Sequence, residues 1–243
     1  MRTAIPFALA AGILACPSQA RSVGQAVTVE LRMDDGRTVN LYPAPGRNRA
    51  YAEAVKGAGY RIVVRNTTSR RVGLVIAVDG RNIVSGAKSW LRNDERMYIL
   101  EPHATQEHAG WRTGQDRINR FFFTTADDSY AGRFDDTSAM GVVAVAVYPE
   151  VQPPPCPLPA TAGAARNLAR KESRDMASEA AAGTGYGREE YSPSRVVAFE
   201  PEAAALEKTC IKYEWRDTLR RLGVVRDGNR LWDGGYAPPP PRG

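Results

Sequence analysis

The residues best suited to chemistry fall in four places, and none has the spacing of an established reactive motif. His103 and His108 flank Glu107, with Glu101 nearby, which is an oxygen and imidazole set of the kind that holds a metal. Pro102 and the flanking strand patterns put this stretch in a surface loop rather than on a helical face, so no metal is assigned. The pairs Asp127-Asp128 and Asp135-Asp136 bracket Ser129 to Arg133. Paired carboxylates serve glycoside hydrolysis or calcium binding, but an ordinary solvated loop, with Arg133 neutralising one pair, has the same composition. Gly183 to Arg188 is glycine-rich yet lacks both the dinucleotide-fold and the Walker spacing. It reads as a flexible or positive-φ loop fixed by pairing among Arg188, Glu189 and Glu190. Trp111, beside Arg112, is the best surface candidate for an interface or a sugar-stacking platform, with core packing the favoured alternative.

No G-x-S-x-G elbow occurs, and no catalytic residue or cofactor is assigned. The binding candidates are Trp111, Arg112, Tyr130, Arg133 and Arg188.

The chain's start bears on where such chemistry would operate. Arg2, the apolar run Ala4 to Ala15, and the small residues Ser18 and Ala20 form a secretory signal peptide over residues 1–20. Cleavage after Ala20 is expected, giving a periplasmic or secreted product. Ile13-Leu14-Ala15-Cys16 offers the alternative of a lipoprotein anchored at Cys16, with Leu14 a poor match to that pattern. No other stretch is long and apolar enough for a membrane helix. Removing the leader leaves Cys156 and Cys210, which are expected to form a disulfide in an oxidising compartment.

The 243 residues carry a formal net charge of +6, spread over both halves of the chain. An exported protein with dispersed positive charge is expected to meet an envelope protein or an anionic glycan or lipid surface rather than nucleic acid.

Residues 21–150 read as short strands separated by turns. Val27 to Arg32 and Thr38 to Tyr42 flank Asp34-Asp35-Gly36, and Asp79-Gly80 joins Gly73 to Val78 with Asn82 to Val84. Further strands are expected at Tyr60 to Arg65, Arg96 to Leu100, Arg120 to Thr125 and Gly141 to Tyr148. The last is an unbroken Val and Ala run, which requires cover on both faces. The pattern predicts a mainly β protein with a β-sandwich or jelly-roll-like domain and a C-terminal α+β extension packed on it.

Residues 151–194 read as a proline-rich connector, a helical segment from Ala160 to Ala182 and the glycine-rich loop. Residues 195–233 read as a β-hairpin (Arg195 to Phe199, Lys208 to Trp215) with a short helix from Asp217 to Leu222. Residues 234–243 read as a disordered proline-rich tail.

Several segments together, Val78 to Gly86, Gly110-Trp111-Arg112, Phe122-Phe123-Thr124 with Asp128 to Ala131, Gly141 to Glu150 and Gly183 to Glu190, resemble an uncharacterised family of exported proteobacterial proteins. The resemblance implies one module in which the last strands return to the sandwich, and it implies no activity. The proline-rich connector and the Cys156/Cys210 pair depart from the family's pattern. The resulting expectation is a non-enzymatic exported interaction or structural module. Its alternative is a carbohydrate-binding or carbohydrate-active protein on an envelope glycan.

Overall fold

Alternation of apolar and polar residues, as in Val27–Met33 and Arg49–Ala54, gives each sheet a face that must leave water, and two such faces are closed against each other here. The computed structural model describes residues 20–152 and 181–225. The leader, Cys156, the expected helix and the proline-rich tail lie outside the described residues.

The first sheet holds β1 (Val27–Met33), β4 (Gly59–Asn66), β10 (Arg117–Thr125) and β12 (Ala182–Thr184) in that order. Three short strands join it: β8 (Thr105–His108) on β4, and β9 (Gly110–Arg112) and β13 (Glu189–Tyr191) on β10. The second sheet runs β2 (Leu41–Pro43), β3 (Arg49–Ala54), β14 (Glu207–Trp215), β11 (Val142–Pro149), β5 (Val72–Val78) and β6 (Arg81–Asn82), with β7 (Tyr98–Leu100) also on β5. The pair β14 and β3 is parallel, whereas every other pair between named strands is antiparallel. Among the described residues no helix is long and apolar enough to cross a membrane.

The expected mainly β sandwich with a small C-terminal helix, α1 (Arg216–Arg221), is what the chain forms. Val29, Leu31, Ile62, Val64, Phe121 and Phe123 of one sheet meet Leu74, Ile76, Val143, Val145, Ile211 and Tyr213 of the other in one core. β11 lies between β5 and β14, and Val145 is buried. The outer side chains of β5 and β11 are covered by loops rather than by a third layer: Val75, Ala146 and Tyr148 pack with Leu91, Met97 and Ala205. The β5–β6 turn has positive φ at both Asp79 (49°) and Gly80 (78°). A two-residue hairpin turn whose twist matches its strands requires this geometry.

One chain of polar groups crosses the core. Asp79 is fully buried and accepts hydrogen bonds from Gly141 N (2.8 Å), Thr184 N (2.6 Å) and Tyr213 Oη (2.5 Å). Thr184 Oγ1 bonds both Tyr213 Oη (2.6 Å) and Tyr60 Oη (2.8 Å). The string ties the β5 turn and β14 to β12 and β4 of the opposite sheet. Burial pushes the Asp79 carboxyl up to about 6, against the pull of those hydrogen bonds.

The chain departs from expectation at its far end. Arg195 to Phe199 forms no strand, and Ser192 to Glu200 runs without turn, bend or ladder. β14 instead pairs with β11 and β3, so it completes the second sheet from within rather than as one arm of a hairpin. Ala182 to Thr184 is a buried strand rather than loop. Cys210 sits half-buried on β14 and, among the described residues, has no cysteine partner.

Candidate functional site

Ser129 is fully buried and shapes the loop between β10 and β11. Its Oγ donates to Ala126 O (2.6 Å) and accepts from Gly132 N (2.9 Å), and Tyr130 N then donates to Thr184 O (2.9 Å). This staples the loop onto β12 and holds Tyr130, Arg133 and Phe134 on one side of it. Together with Phe122, Thr124, Asp128 and Tyr186 they line a cleft of about 530 Å³.

The cleft is aromatic. Tyr130 stacks on Tyr186 (centroids 5.3 Å apart, planes 17°) and meets Phe134 edge-on (5.2 Å, 73°). Beneath it lies Trp111, 4.5 Å from the Tyr130 ring. Phe134 and Tyr186 keep 52% and 44% of their surface open to solvent, so both rings present a face to the cleft. Arg81 lies over Phe134 at 3.8 Å, fixing that ring by a cation–π contact. Burial, with Tyr130 and Glu189 nearby, raises the Tyr186 phenol above its ordinary value, so it offers a neutral hydroxyl.

Two glycines make room for these rings. A Cβ on Gly185 would lie 2.2 Å from the Phe122 ring, and one on Gly86 would lie 2.7 Å from Tyr130 Oη. The 183–188 segment was expected to use glycine for positive φ, yet none of Gly183, Gly185 and Gly187 has it. Close approach explains all three, since Gly183 meets Ser129 and Gly187 meets Arg120.

The candidates read from sequence divide among several places. Tyr130 and Arg133 come together in the cleft. Trp111 is buried rather than presented in a loop, and its Nε1 donates to Gly185 O at 3.1 Å, so it supports the cleft from below. Arg112 lines a separate groove. Arg188 is exposed and does not pair with its neighbours; Glu189 and Glu190 pair with Arg117 and Arg120 instead.

Arg133 forms no ion pair with Asp127, Asp128, Asp135 or Asp136. Asp136 is held by Lys88 (3.1 Å). Despite some desolvation, hydrogen bonds from Ser138 and Lys88 keep its carboxyl below the usual value. Among the four acidic residues only Asp128 lines the cleft.

His103 and His108 do not converge. His103 is exposed at φ 57°, while His108 is buried on β8 with its ring 4.1 Å from Tyr98. Glu101 and Glu107 are taken by arginines, and no group of His, Cys, Asp and Glu suited to a metal occurs among the described residues. Sequence reasoning missed Phe134 and Tyr186. Both are aromatic residues in loops rich in Gly and charge, where no core periodicity accounts for them. The chain matches no family model, no curated protein and no solved structure.

Proposed function

We propose that this chain is a non-enzymatic exported protein whose sandwich is a binding module, and that an envelope glycan seats in the aromatic cleft. The observation that carries the reading is the half-exposed Tyr186 and Phe134 beside Arg133 and Asp128, whose charges are not neutralised by each other or by any other described residue. A pyranose ring has an apolar C–H face that stacks on such rings and hydroxyls that both donate and accept, which a guanidinium and a carboxylate answer together.

The cleft volume lies within the range of small-ligand sites. Glycoside hydrolysis takes two facing carboxylates, and the cleft wall carries Asp128 without a second acid, which favours binding over turnover. Arg133 and the cationic surplus of the chain favour an anionic glycan. Export by the 1–20 leader and a Cys156–Cys210 disulfide belong to the same proposal.

The test is a glycan array and a peptidoglycan pull-down with the mature chain and its Tyr186→Ala and Gly185→Ala variants. Retention of the wild type, weakened about tenfold or more by each change, is expected, since tenfold corresponds to one well-made contact. Absence of retention on every glycan, or binding that both variants leave intact, would reject the cleft as a sugar site.

A further inference from the structure

The segment Ser192 to Pro201 forms a strap fastened only at its ends. At one end Ser192 N donates to Asp116 O and Ser194 N to Gln115 O (both 2.7 Å), and Arg112 Nη1 reaches Ser192 O at 2.6 Å. At the other, Val151 N donates to Glu200 O (2.8 Å) and Arg71 Nη1 to Ala198 O (3.2 Å), while Phe199 lies against Gly73. Between them Arg195, Val196 and Val197 make no backbone hydrogen bond with any described residue, and Val196 is 82% exposed. The stretch is nearly straight, without turn or bend. It is in effect a strand without a partner, and its N–H and C=O groups alternate in direction as in any extended chain.

This strap is one wall of a groove of about 1030 Å³; the opposite wall comes from β7, β8 and β9, and the groove shares no lining residue with the aromatic cleft. Its charges are unbalanced. Glu101 pairs with Arg71, and Glu107 pairs with Arg32 and Arg61, which leaves Glu95, held by the neutral donors Trp90 N, Arg92 N and Ser89 Oγ, as the one carboxylate on these walls without an ion pair among the described residues.

Three arginines on the same walls, also without an ion pair, outnumber it. The guanidinium groups of Arg96 and Arg195 make no ion pair or hydrogen bond with any described residue, and Arg112 is held only by neutral groups, Tyr98 Oη (3.0 Å), Ser192 and nearby carbonyls. His108 on the same wall adds no negative charge, and its buried Nε2 has no partner. Burial and the neighbouring Arg112 hold its imidazole neutral, down to about 3.

We propose that the groove binds an acidic peptide in extended conformation. Its main chain would pair with the strap at Arg195 to Val197, and its carboxylates would meet Arg96, Arg112 and Arg195. An unpaired extended edge supplies main-chain affinity, and surplus guanidinium groups select the carboxylates. A free anion would use the arginines but would have no use for the strap.

Fluorescence anisotropy tests this with the mature chain and a fluorescein-labelled octapeptide of alternating Glu and Val. Saturable, salt-sensitive binding is expected, with an octapeptide of alternating Lys and Val failing to bind. The exposed double change Arg96→Gln/Arg195→Gln, with its circular dichroism unchanged, should weaken binding by about tenfold or more. Two further peptides, N-methylated at odd or at even positions, distinguish pairing from simple charge attraction: one of the two should lose binding. The proposal fails if the Lys peptide binds equally, if the double variant binds normally, or if both methylated peptides bind like the parent. In that last case displacement by inorganic polyphosphate would mark a general polyanion site.

Discussion

Asp79 and His108 are both buried, yet they respond to acid in opposite senses. The Asp79 carboxyl titrates near 6 in the fold, above its ordinary 3.8. The native state therefore holds the extra proton between those values, and the stability from this group is present below the lower value and lost as pH rises through the higher. His108, depressed from 6.5 to about 3, contributes stability above 6.5 that is lost as pH falls towards 3. Replacing Asp79 with Asn keeps an oxygen for Gly141 and Tyr213 but turns an amide N–H₂ towards the Thr184 N–H. Asp79→Asn should thus be destabilised, and by more near pH 4.5 than near pH 7, because only the wild type gains from the proton. Urea unfolding at the two pH values measures both gaps; equal gaps would show that Asp79 does not titrate in this window.

At the scale of elements, β11 was the most legible part of the sequence. A Val and Ala run with no polar face permits one placement, and Val145 lies 1% exposed between β5 and β14. Val145→Asp puts an unpaired charge there and should cost several kcal/mol, comparable with the stability of a whole domain, leaving no cooperative thermal transition. Arg195 to Phe199 was misread because its composition is that of a strand while no neighbouring edge is open to it. Pairing depends on tertiary partners that a local pattern does not contain. Of the site, Tyr130 and Arg133 could be read from one loop, whereas Tyr186 arrives from a segment far along the chain and Trp111 is covered by it.

The entry to β1 depends on a distant carboxylate. Glu207 accepts from Gln25 N (2.7 Å), Ala26 N (2.8 Å), Val27 N (3.1 Å) and Asn48 Nδ2 (2.7 Å). Glu207→Gln exchanges an acceptor oxygen for a donor and should cost about 1–3 kcal/mol. Hydrogen exchange should show it as faster exchange at Gln25 to Val27, with β10 amides less affected.

Across the whole molecule, the aromatic cleft and the strap groove are held on one sandwich whose outer face is laced by ion pairs. Arg61 joins Asp34 and Glu107, and Arg120 joins Asp34 and Glu190, so four strands of the first sheet and its β1–β2 connection carry matched charges. The second sheet is assembled differently. β14 alone joins β3 to β11, linking residues near 50 to residues near 145 through a strand that begins at Glu207. Contacts this distant along the chain make folding slow, because loop closure must precede the reward of pairing. During synthesis, the apolar flank of Val142 to Val147 stays open until the last tenth of the described chain has emerged. An open edge of that composition pairs readily with other copies. A chain ending at Leu206 should accordingly be recovered in aggregates, while one ending at Val225 folds as a monomeric unit by light scattering. The late arrival of β14 makes this a protein that has to be kept from its own kind until that strand is in place.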